Sequence, residues 1–172
     1  AGTGETGPGI YQGDAYIENV SYNIWFASML IGRSITGIRA GDVNKLVRIL
    51  EKYVKPSEIS CIAKKELSPV LLHSALFTPS ISRIILIEPY SSYRSIVMSR
   101  FYKPEFIHST VPGALKAYDL PDLAANLAPK KLLMINVTDG KGEISDRTMI
   151  DEDISVIKSQ YGLRNVADNL KI

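Results

Sequence analysis

The chain predicts an α/β fold, a mainly parallel sheet flanked by helices, and three observations carry that expectation. First, the runs Ile59–Ala63, Ile81–Ile87 and Leu132–Val137 are short, apolar and rich in β-branched residues, as strands buried on both faces are. Second, the segments between them hold helical patterns, so strand and helix alternate. Third, Glu58–Glu88 contains a complete unit in little space: a strand, a sharp turn at Lys64–Leu67, a helix opened by Pro69, and a second strand. Such a unit crosses over right-handed. In open α/β sheets ligands meet the carboxyl ends of the strands, which directs attention to Lys64–Leu67.

Taken in order, Gly2-Thr3-Gly4-Glu5-Thr6-Gly7 matches G-x-G-x-x-G in letters. No strand precedes it and Pro8-Gly9 breaks any following helix, so a Gly-rich loop is the reading and no cofactor is implied. Asp14–Ile31 is apolar enough for a mostly buried helix, punctuated by Gly32. Ile35, Ile38, Val43, Leu46, Val47, Leu50 and Tyr53 approach a 3.6 period and predict a helix over 34–54, ended by Pro56. Pro69–Phe77 follows as a helix with Ser68 as its N-cap.

After Ile81–Ile87 comes the polar and aromatic loop 88–94, then a short helix near 93–100. An irregular stretch follows to Pro112, then helical turns at 113–118 and 119–127. The third strand ends in Thr138-Asp139-Gly140, and an amphipathic helix over 151–161 is capped by Gly162. Asn169–Ile172 reads as the start of a further strand. Both ends look cut, as expected of a partial domain spanning 1–172 within a longer polypeptide. An unpaired sheet edge would invite pairing with another copy, hence a homo-oligomer.

Composition excludes several classes. A net charge of +2 with no basic run argues against a nucleic-acid partner. One cysteine and two histidines argue against an internal disulfide or a Cys/His metal site. No apolar run reaches the roughly 20 residues of a membrane span.

The order of these elements, and the run Asp119-Leu120-Pro121-Asp122-Leu123 continuing to Ala128-Pro129, resemble the later half of α/β-hydrolases of the acetyl-xylan-esterase-like and prolyl-oligopeptidase-like kind. Gly2–Thr6 is similar to a G-x-G-x-S turn of that fold, and Gly32-Arg33 through Asp42-Val43 resembles the helix before its nucleophile strand. The resemblance implies a serine at the centre of G-x-S-x-G, held on a strained turn. Here that pentapeptide falls on Ala63-Lys64-Lys65-Glu66-Leu67, so Lys65 occupies the nucleophile position and both glycines are absent. Asp139 falls where the resemblance places the triad acid. No histidine follows it in chain order, since His73 and His108 both precede.

Ser68 is a candidate nucleophile a few residues late, against its reading as a cap. Lys65 is expected to be inert and to pair with Glu66 or Asp139; the alternative is a reactive amine, which needs a pKa depressed by apolar burial or a neighbouring cation such as Lys64. His73 is expected to be structural, and His108 to be exposed or bound to a loop carbonyl. Tyr90, Tyr93, Arg94, Tyr102 and Tyr118 are candidates for a sugar-stacking cleft.

The implied function is a degenerate hydrolase domain with a structural or carbohydrate-contacting role beside another domain of the same polypeptide. The alternative is an active serine esterase or peptidase with part of its site outside this chain. An extracytoplasmic location follows from the resemblance alone.

Overall fold

A computed structural model of the chain describes residues 16–17, 20–145 and 147–172. The short strands β1 (Tyr16–Ile17) and β2 (Val20–Ser21) pair antiparallel, followed by α1 (Tyr22–Leu30) and α2 (Ile35–Tyr53). The unit at the centre of the chain is β3 (Ile59–Lys64), a 3₁₀ turn over Lys65–Leu67, α3 (Ser68–Phe77) and β4 (Ile81–Ile87). Then come α4 (Tyr93–Met98), 3₁₀ turns at Pro104–Ser109 and Ala114–Lys116, and α5 (Leu120–Asn126). The chain finishes with β5 (Lys131–Ile135), α6 (Arg147–Leu163) and β6 (Leu170–Lys171).

The main sheet has the order β3-β4-β5-β6 and every pair in it is parallel. This is an α/β fold. Helices α2, α3, α5 and α6 pack successively on one another, and α3 lies against β3 and β4. Side chains alternate across the strands, so Ala63, Ile84, Leu86, Leu132 and Met134 point into this layer and are buried. They meet Leu71, Leu72, Ala75, Ala124, Ile157 and Tyr161 there. The Lys130 ammonium closes the layer by donating to the Ala75 and Thr78 carbonyls, 2.6 and 2.7 Å away, at the end of α3.

Three expectations need correction. The helix predicted over 14–31 is extended at β1 and β2 and helical only from Tyr22, and residues 14, 15, 18 and 19 lie outside the described set. Phe26 and Leu30, read as buried, are 50% and 88% exposed. An apolar run without a clear period does not discriminate helix from strand. Second, Gly162 lies inside α6; Asn165, at φ 58°, takes the left-handed position after it, and the Val166 N–H returns to the Tyr161 carbonyl. Third, Ser68 is the first residue of α3 rather than its cap. Leu67 holds the cap position and caps nothing with its side chain. The Gly-rich motif at 2–7 lies outside the described residues.

Candidate functional site

The carboxyl ends of three adjacent parallel strands share one backbone feature. The residue after β3 is Lys65, after β4 Glu88 and after β5 Asn136, and their φ angles are 51°, 51° and 54°. Asparagine tolerates the left-handed region; lysine and glutamate do so at a cost of about 1–2 kcal/mol each. The strained turn at Lys65 links strand to helix within three residues, since α3 begins at Ser68.

Register explains the partner that Lys65 finds. Lys64 lies beside Ile87, so the residues that follow, Lys65 and Glu88, are neighbours across the strand ends. The Lys65 ammonium is 3.5 Å from a Glu88 carboxylate oxygen, and that of Lys64 is 3.8 Å from the same atom. Neither predicted partner, Glu66 nor Asp139, takes this place. Glu66 instead lies in the field of Arg39. All three members of the cluster are solvent-accessible, so each pair contributes at most about 1 kcal/mol.

The other candidates are spent locally or isolated. Ser68 is 2% exposed, and its hydroxyl has no hydrogen-bond partner among the described residues. His73 uses both ring nitrogens elsewhere. Nδ1 donates to the Pro69 carbonyl at 2.6 Å, which fixes the tautomer, and Nε2 accepts from the Tyr118 hydroxyl at 2.9 Å. Burial lowers its pKa despite the carbonyl contact. This is the structural histidine expected from sequence.

Of the two expectations for His108, exposed or bound to a loop carbonyl, the first does not hold. His108 is 6% exposed, with Arg39 and Glu105 in its field, and burial followed by the Arg39 charge pushes its pKa down to about 4. Its irregular segment is a 3₁₀ turn folded under α2, fastened where the Thr36 hydroxyl donates to the Ser109 carbonyl at 2.8 Å.

Asp139 is 4% exposed and organises its own loop. One carboxylate oxygen accepts from the Lys141 and Glu143 backbone N–H groups at 2.8 and 3.1 Å. The other accepts from the Ser145 hydroxyl at 2.5 Å. Neither histidine is among these partners.

The tyrosine set does not assemble into one cleft. Tyr90 is 2% exposed, stacks near Phe106 and donates its hydroxyl to Ser109 Oγ at 2.7 Å. Tyr93 is 3% exposed, so neither ring offers a face for stacking. Arg94 ties α4 to α6 through Glu152 and Asp153 at 2.9 and 3.0 Å, and Tyr118 is engaged by His73. Tyr93 and Tyr102 border a common cavity, of about 670 Å³, with Trp25 and Ile96.

Among the described residues no group of three His, Cys, Asp or Glu side chains could hold a metal, and no helix is long and apolar enough to cross a membrane. No family model, no curated protein and no solved structure matches the chain. The feature that sequence reading missed is Glu88. Its signal was available: an acidic residue directly after the second strand stands level with Lys65 directly after the first.

Proposed function

We propose that the chain is a degenerate α/β-hydrolase-like module with a structural role beside another domain, its nucleophile position converted to an ion pair. The observation that carries this reading is the Lys65 turn. The backbone keeps a left-handed residue between strand and helix, the geometry that holds a nucleophile above a sheet. The side chain there is an ammonium shared with Glu88, which cannot form an acyl-ester. Two further facts support it: the Ser68 hydroxyl is buried with no hydrogen-bond partner among the described residues, and Asp139 accepts from its own loop. The carbohydrate-contacting variant loses its support with the burial of Tyr90 and Tyr93.

Release of p-nitrophenol from p-nitrophenyl acetate tests this. The chain should show no turnover above that of Lys65→Ala. Turnover that disappears in Ser68→Ala would establish the active-esterase alternative in its place.

A further inference from the structure

Among the described residues, the helices that pack on the sheet lie on one face. On the other, the ladder places Ile62, Ile85 and Leu133 side by side across three strands, with Ile87 and Ile135 forming the next row. Ile62 is 66% exposed and Ile135 38%, while Ile85, Ile87 and Leu133 are half-buried. No helix among the described residues covers them. All-parallel sheets are characteristically buried on both faces, because a bare apolar face leaves its hydrophobic surface in water.

Charge frames this apolar strip. Arg83 and Lys131 stand side by side in the row before it, Lys64 ends it on β3, and Lys171 lies beside Leu133 on β6. Arg83 is paired with Glu58 at 2.8 Å, and Lys64 is held loosely by Glu88. Lys131 and Lys171 are exposed and have no ion pair among the described residues. Ile62, Ile85 and Leu133 lie on three strands at about 4.8 Å spacing, so their row spans roughly 10 Å, the diameter of one α-helix with its side chains.

We propose that this face docks an amphipathic α-helix of a partner polypeptide or domain, its apolar stripe on Ile62, Ile85 and Leu133 and its flanks acidic toward Lys131 and Lys171. A second copy of the chain does not fit this chemistry, since the acids beside the strip, Glu58 and Glu88, are already paired with Arg83 and with Lys64 and Lys65 and leave none for Lys131 and Lys171. The proposal rests on the sheet and not on the hydrolase reading.

Two labelled synthetic 18-residue helical peptides provide the test, identical in their leucine stripe and flanked by Glu in one and Lys in the other. Fluorescence anisotropy should show the Glu-flanked peptide binding at least tenfold more tightly. Ile62→Glu should weaken it at least tenfold, and Lys131→Glu with Lys171→Glu should move the preference toward the Lys-flanked peptide. Circular dichroism melting checks that each variant folds; should one not, the comparison of the two peptides on the unaltered chain still decides. Absence of binding, equal binding of the two peptides, or indifference to Ile62→Glu would overturn the proposal. So would a dimer in sedimentation that Ile62→Glu dissolves, or Ile62-dependent pelleting with phosphatidylcholine–phosphatidylserine vesicles in place of peptide binding.

Discussion

Lys65 combines an unfavourable backbone with a weak side-chain contact, and the two contributions separate by substitution. Ala and Gly both delete the ion pair with Glu88, but only Gly relieves the cost of φ 51°. Lys65→Gly should therefore be more stable than Lys65→Ala by roughly 1 kcal/mol in urea unfolding; equal midpoints would mean that the turn is not strained. Gly140 tests the neighbouring strand end. A Cβ there would lie 2.2 Å from the Ser95 carbonyl oxygen, a backbone atom held in α4. Gly140→Ala should cost about 3 kcal/mol, the upper end of the overpacking range, read as a lowered melting temperature. Lys65 and Asp139 could be located from sequence because each follows a legible strand. Their partners could not, because pairing depends on register, and one residue of register changes every neighbour.

The Asp119–Asn126 element shows why the most recognisable motif in the sequence is structural. Asp119 is the N-cap of α5 and forms a capping box with Asp122, while Pro121 occupies the first turn, where no N–H is needed. The same carboxylate accepts from the Tyr93 and Arg94 N–H groups at 2.6 and 3.0 Å, so one side chain also serves the start of α4. Asp119→Ala should destabilise by on the order of 3 kcal/mol, because two helix starts lose an acceptor together. Asp119→Asn, which keeps one oxygen, should cost less; equal losses in chemical unfolding would show that only one of the two roles matters. The strands that begin at 59, 81 and 131 and the helices that begin at 35, 68 and 120 were legible, to within a residue or so at their ends, because their signals are local: β-branched runs, Pro at a first turn, a capping acid. The stretch from Phe101 to Pro112, read as irregular, was not, because its 3₁₀ turn at Pro104–Ser109 is held by a distant partner, Thr36.

At the scale of the molecule, the helical layer and the 3₁₀ turn at 104–109 bury two imidazoles that the chain cannot charge without cost. In the unfolded chain each takes up a proton near pH 6.5. In the fold, His108 resists until about pH 4 because it is desolvated and faces the Arg39 cation, with only Glu105 opposing. His73 is shifted in the same direction. As pH falls from 6.5 toward 4, the unfolded state binds protons that the native state refuses, so stability falls through that window and levels off for His108 below it. The full shift corresponds to on the order of 3 kcal/mol. Asp119 works in the opposite sense, since burial raises its pKa and the native state then takes up its proton before the unfolded one. The urea midpoint should accordingly drop between pH 7 and pH 4.5, and His108→Gln, which cannot titrate, should flatten much of that slope. An unchanged slope in His108→Gln would remove His108 as its source and leave His73 as the group to test.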